Sequence, residues 1–378
     1  MRNYRQEFSD FGPLAYLDCA CQGPFPRVTV ERLQAAIALK AHPERLTAPE
    51  YFGPPERVRT RIAGLVGADP EEIAITTSAT QAIGIAAAGL SLVPGDEVVI
   101  AASNFPCNLF TWLHLRRKGV TVKVIQPADG EVTLDRVAAE LTPRTRILAL
   151  DWVNYTTGFR IDLAAFGSLI HLQGGIFVVD GTQGVGANDL NLHALPVDVM
   201  ACAAYKWLLG PYGTGFAYVA RDLLPKLDVS VINWYSVEGA EDFQSLPSTD
   251  FRLKQGARVF DSGETGNFIN MHGLDASLEF VEDVTIKAVN AQCRRLLQRL
   301  EEGLCIRGYI LSAGSSPGHE STILGFHALR PQATAELHGK LAANHIAVSL
   351  RNGMVRVSPY LYNDEADIDR LLEIASRA

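Results

Sequence analysis

The chain has 378 residues, 47% of them hydrophobic, with 42 acidic against 34 basic side chains and a formal net charge of −8. That length can bury a large core in two domains, and the scattered charge offers no basic stripe to nucleic acid. Residues 1–6 lack the apolar region of a signal peptide and no later apolar run reaches membrane-spanning length, so no membrane partner is expected. Six cysteines (Cys19, Cys21, Cys107, Cys202, Cys293, Cys305) show no framework spacing, and a reduced cytoplasmic setting fits them best. Cys19 and Cys21 have no matching Cys or His pair at ligand spacing, so no metal site is expected.

In chain order, residues 1–25 read as irregular, with a short strand at 14–18. The stripe Val30, Leu33, Ile37 predicts a helix over 28–40, and a second helix is expected over 54–66. From residue 73 the pattern alternates. Strands are predicted at 73–77, 97–101, 121–125, 147–151, 176–180, 199–203 and 215–219, with helices between most of them. This spells an α/β fold: a mostly parallel seven-stranded sheet sandwiched by helices, its last strand returning antiparallel through a glycine-bearing turn. Residues 226–265, with Trp234, Tyr235, Phe243 and Phe251, read as long ordered loops. Helices at 273–284 and 285–303, strands at 322–326, 346–349 and 354–357, and a helix at 364–376 make a smaller α+β unit. The expected division is an N-terminal segment (1–25) packing on the small domain, a large domain (26–250) and a small domain (251–378).

Polar residues that follow these apolar runs carry the chemistry. Ser78, Ala79 and Thr80 stand where a strand turns into a helix; free N–H groups there either bind a phosphate or are merely capped. Phe105, after the next strand, is a ring to stack on a flat ligand or a core phenylalanine. Asn154 and Tyr155, in Leu150-Asp151-Trp152-Val153-Asn154-Tyr155, crowd a third strand end. The run Ile176-Phe177-Val178-Val179 closes on Asp180, followed at the turn by Gln183. A second run ends in Tyr205-Lys206-Trp207 and Gly210-Pro211. With only 8 lysines in the chain, one at the end of a buried-type run is unusual, although a snorkelling side chain is the plain alternative. An acid and a lysine at strand ends are what pyridoxal 5'-phosphate (PLP) needs: the amine holds its aldehyde as a Schiff base, the acid keeps its ring nitrogen protonated. Arg356, within an apolar strand, wants a carboxylate partner, either a substrate or a structural acid.

Taken together, Asp180-Gly181-Thr182-Gln183, Tyr205-Lys206-Trp207 and Arg356-Val357-Ser358 with Tyr362-Asn363 resemble the class V aminotransferase family of fold-type I PLP enzymes, which includes cysteine desulfurases, kynureninases and isopenicillin N epimerase-like proteins. The resemblance implies that Lys206 anchors the cofactor, Asp180 pairs with its ring nitrogen and Gln183 with its phenolic oxygen. It implies that Ala79, Thr80 and Tyr205 hold the phosphate, Phe105 stacks on the ring and Arg356 grips the substrate carboxylate. It also implies a homodimer whose site borrows a segment similar to Gly263-Glu264-Thr265-Gly266-Asn267, and Trp234 is similar to a kynureninase substrate-pocket feature. One departure matters: desulfurases carry a loop cysteine shortly before the terminal arginine segment, and no cysteine follows Cys305 here. The expected activity is transamination or related Cα chemistry on an amino acid, with a cysteine-independent C–S or β-lyase or an epimerase as alternatives. A nicotinamide oxidoreductase is disfavoured, since neither Gly181–Gly186 nor Gly210–Gly215 forms Gly-x-Gly-x-x-Gly in a first strand–helix unit.

Overall fold

The computed structural model describes residues 4–127, 131–242, 244–245, 249–263 and 267–376. Phe243 and residues 264–266 of the sequence reading lie outside them. The elements are β1 (Ala15–Tyr16), α1 (Arg27–Lys40), α2 (Ala48–Val66), β2 (Ile73–Thr76), α3 (Ala79–Gly89), β3 (Glu97–Ala101), α4 (Cys107–Leu113), β4 (Thr121–Ile125), α5 (Leu134–Glu140), β5 (Thr145–Asp151), α6 (Leu163–His171), β6 (Ile176–Asp180), β7 (Val199–Ala203) and β8 (Gly215–Val219). There follow α7 (Phe268–Val284), α8 (Ile286–Ile306), β9 (Ile310–Leu311), β10 (Leu324–His327), α9 (Pro331–Ala343), β11 (Ile346–Ala347), β12 (Ser349–Arg351), β13 (Met354–Val357) and α10 (Glu365–Ala375).

Seven strands form one sheet in the order β2-β8-β7-β6-β5-β3-β4. The neighbours from β7 to β4 pair in parallel, while β8 runs antiparallel to both β7 and β2. The fold is therefore the α/β sandwich expected, antiparallel return included. Its strands read as unbroken apolar runs because both faces are covered. Ile100, Ala149, Val178 and Ala201 enter one buried cluster with Ile83 and Trp112, while Ala101, Leu150, Val179 and Cys202 enter another with Ile62, Trp207 and Leu278.

A second sheet, β12-β13-β10-β9, is antiparallel. It shares a third apolar cluster with α8, α9 and α10, including Leu300, Phe326, Leu341, Val355, Val357 and Leu371. The N-terminal β1 pairs in parallel with β11.

Several boundaries differ from the sequence reading, three of them for a clear local cause. Helix α2 begins six residues before Pro54, because Thr47 and Glu50 form a reciprocal capping box and both Pro54 and Pro55 sit buried inside the helix. Helix α7 starts at Phe268 rather than 273, capped by the Asn267 side chain. The single strand expected over 346–349 is two: β11 pairs with β1, and beyond Val348 the chain changes partner so that β12 pairs with β13.

Candidate active site

Parallel pairing brings the ends of β5, β6 and β7 to one edge. Asp151 is register partner to Asp180, and Asp180 to Ala201, two residues before the end of β7. Because β2 and β7 both run antiparallel to β8, the end of β2 and the start of α3 reach the same edge. A cleft of about 490 Å³ opens there, lined by Ser78, Ala79, Thr80, Phe105, Cys107, Asp151, Val153, Tyr155, Asp180, Thr182, Gln183, Ala203, Tyr205 and Lys206.

Lys206 is 5% exposed. Its Nζ lies 5.2 Å from the Phe105 ring centroid and 5.7 Å from that of Tyr205. Burial lowers its pKa below the usual lysine value, against the opposing pull of Asp180. The backbone around it is fixed on both sides. Gly23 N–H donates to Tyr205 O at 3.0 Å, and Leu209 N–H, at φ +56°, to Lys206 O at 3.1 Å. A Cβ on Gly23 would stand 2.0 Å from Lys206 O, so only glycine allows this approach.

Asp180 is 4% exposed. Its Oδ1 accepts the Thr182 N–H at 3.0 Å, and its Oδ2 accepts the Cys107 thiol at 3.2 Å. Burial, followed by the Asp180 charge, pushes the Cys107 thiol pKa well up. Gln183 donates from Nε2 to Ala20 O at 2.9 Å and accepts Trp207 Nε1–H at 2.9 Å, which leaves one Nε2 hydrogen. At the head of α3, the Ser78 Oγ accepts Gln81 N–H at 3.2 Å, and the Gln81 side chain turns back to Thr77. The Tyr205 phenol, pushed by burial to about 12, keeps its proton at any ordinary pH.

Phe105 meets Tyr155 edge to face at 5.2 Å. Arg356, 2% exposed, is held by Asp18 Oδ1 at 2.9 Å, Ser349 Oγ at 3.2 Å and Tyr155 O at 2.9 Å. Its buried Nε has no hydrogen-bond partner among the described residues.

The cleft thus gathers nine of the residues singled out in the sequence. Asn154, Trp234 and Arg356 do not line it. The Asn154 side chain caps its own turn at Thr156 and Thr157 N–H and reaches Ser103 O. Trp234, 38% exposed, packs edge-on against Phe52 and Tyr235. Thr265 lies outside the described residues. Cys107, Asp151, Val153, Thr182 and Ala203 line the cleft without having been singled out. Asp151 carries the same signal as Asp180, an acid closing an apolar run.

The donor set fits PLP on this structure's own terms. A thiol is a weak donor, so the Asp180 carboxylate retains the capacity to take a charged ring N–H. A buried amine, a helix N-terminus and an aromatic face stand around the same space. Fold and cleft define an α/β enzyme of the lysine-anchored PLP class. The match to known proteins makes this specific: the family description "Aminotransferase class-V" covers residues 16–371, and the chain belongs to that family. It is a PLP-dependent enzyme of the class-V aminotransferase type.

Among its relatives, it is 29% identical to the cysteine desulfurase CsdA of Escherichia coli, over 96% of this chain and 93% of that one. It is 27% identical to the isopenicillin N epimerase of Amycolatopsis lactamdurans, over 98% and 96%. Among solved structures, C-DES with glycine covalently linked to its PLP cofactor superposes with a TM-score of 0.88 at 22% identity, covering 98% of each chain.

Proposed function

We propose that the chain removes the α-proton of an amino acid at a PLP site anchored by Lys206, in transamination or closely related Cα chemistry. The observation that carries this reading is a buried amine and a buried carboxylate, Lys206 and Asp180, sharing one cleft. PLP bound there supplies an aldehyde for amines and a ring that accepts the electron pair left at the α-carbon. Lys206 would anchor it and, as a free amine once the substrate is bound, would take the Cα proton, its basic form favoured by burial. Asp180 holds the proton at the ring nitrogen. Gln183, through its remaining Nε2 hydrogen, and Tyr155, which lines the cleft, serve the phenolic oxygen. Ser78, Ala79, Thr80 and Tyr205 hold the phosphate, and Phe105 covers a ring face. Arg356, whose buried Nε–H has no partner among the described residues, receives the substrate α-carboxylate.

A second reading, β-elimination by a C–S or β-lyase, is favoured by one feature. Where a nucleophile-bearing loop would stand, β12 and β13 are joined by only Asn352 and Gly353, at φ +48° and +78°, and no cysteine follows Cys305. Release of a β-substituent then needs no enzyme thiol. Epimerisation, named for the Amycolatopsis lactamdurans relative among others, needs a second proton donor on the opposite substrate face.

The site is completed in a homodimer. The 263–267 segment with Thr265 serves the neighbouring chain's site; Asp261 O, just before it, accepts Asn233 Nδ2–H at 3.0 Å. The third apolar cluster and the β1–β11 pairing support taking 251–378 as a small domain with 1–25 packed on it, beside a large domain over 26–250. Free thiols at all six cysteines support a reduced cytoplasmic setting.

Borohydride reduction of the PLP-loaded protein followed by peptide mapping is expected to mark Lys206; a mark on another lysine overturns the assignment. An amino-acid panel followed for keto acid, for sulfide or pyruvate, and for loss of optical activity then selects among the three reactions.

A further inference from the structure

Asp151 ends β5 beside Asp180, and both carboxylates line the cleft. The roles above leave Asp151 without a task. Its Oδ2 accepts the Phe105 backbone N–H at 2.6 Å, and its Oδ1 accepts Asn108 Nδ2–H at 3.0 Å. Asn108 is fixed in that sense, because its Oδ1 accepts Trp112 Nε1–H at 2.9 Å and both residues are wholly buried. Main chain reinforces side chain: Asp151 N–H donates to Asn104 Oδ1 at 3.3 Å, and Asn104 Nδ2 donates to Ala149 O at 2.9 Å. The corner 104–108 is therefore tied to the strand end that carries Asp151.

An acid at this point is unfavourable for stability alone. Burial, followed by the Asp180 charge, pushes the Asp151 carboxyl up, and the Asn108 and Phe105 donors only oppose that. What the acid gains is a strong, short acceptor at the root of Phe105. A ring that must lie flat on a ligand needs its tilt held within roughly 10–20°. Beyond the edge of Tyr155 and the Lys206 ammonium, the Phe105 ring has open cleft before it.

We propose that Asp151 is a positioning residue that sets the Phe105 ring against the cofactor by clamping the Phe105 backbone N–H. The inference rests on the PLP reading of the cleft. It assigns Asp151 no contact with substrate or reacting atoms.

Apo protein reconstituted with PLP tests it through cofactor affinity and the induced circular dichroism of the bound chromophore. Asp151→Ala is expected to raise the PLP dissociation constant about tenfold, the scale of one hydrogen bond, and to alter the induced dichroism. Asp151→Asn keeps one acceptor for two donors and falls between that variant and the parent; it carries the test alone should the alanine variant not fold. In a Phe105→Ala background, Asp151→Asn is expected to add little further loss, because the ring it positions is gone. Fully additive losses in that double variant overturn the proposal. So does an Asp151→Ala protein with parental PLP affinity and dichroism, whatever its melting temperature. A parent that takes up no PLP overturns the functional reading as well, which separates the two failures.

Discussion

The Cys107 thiol donates to Asp180 Oδ2 across 3.2 Å, on the carboxylate proposed to receive the cofactor's ring nitrogen. Thiol and cofactor then compete for one acceptor. Burial and the Asp180 charge disfavour the thiolate, so apo protein should alkylate slowly at Cys107 and PLP-loaded protein more slowly still. Mass spectrometry of the alkylated peptide checks this; equal rates with and without PLP would place the ring elsewhere. Cys107→Ala should change PLP affinity less than about fivefold, since a weak donor is all it removes.

Lys206→Ala should leave the melting temperature near that of the parent and abolish turnover. In the parent, capture of PLP requires a neutral amine, and burial lowers the pKa of Lys206. Capture should therefore stay fast at pH values below the ordinary lysine pKa of about 10.4 and slow as pH falls through the depressed value, where the amine gains its proton. Absorbance-monitored reconstitution across pH decides it. A midpoint at or above the ordinary lysine value would contradict the effect of burial.

Arg356→Ala removes the proposed substrate contact and also leaves Asp18 as a buried carboxylate without its cation. The unpaired charge should cost about 3–5 kcal/mol of stability. Combining it with Asp18→Asn should restore most of that stability without restoring affinity for the amino acid's carboxylate. Urea unfolding and KM, measured on both variants, separate the two effects. A double variant with parental KM would reduce Arg356 to a structural role.

Gly23→Ala drives a methyl to 2.0 Å from the Lys206 carbonyl, against backbone that cannot rotate away. Overpacking of this kind should cost about 1–3 kcal/mol and displace the Lys206 segment, weakening PLP retention from a residue whose own side chain touches no ligand. Thermal melts and PLP content after gel filtration report both. Parental values in both measurements would mean that the 18–23 segment is free to yield.

Much of the large sheet was legible along the chain. Strands β3, β4, β6, β7 and β8 begin and end at the residues the apolar runs marked, because a strand buried on both faces reads as an unbroken run. The start of α2 is hard to read along the chain, since a double proline looks like a beginning although the Thr47–Glu50 capping box precedes it. The change of partner at Val348 left no local trace, because β11 and β12 each pair with strands far apart in the chain.

What the sequence by itself determined is where polar groups interrupt apolar runs, and hence that Asp180 and Lys206 stand at strand ends. Only the tertiary structure decided which of those groups are already engaged. Arg356 meets Asp18 across 338 residues, Gln183 meets Ala20 across 163 and Trp207 across 24, and Asp151 meets Phe105 across 46. Local periodicity records burial along a strand but not the partner on a distant segment. A donor that packing has satisfied and one left open, such as Arg356 Nε, therefore read alike until the chain is folded.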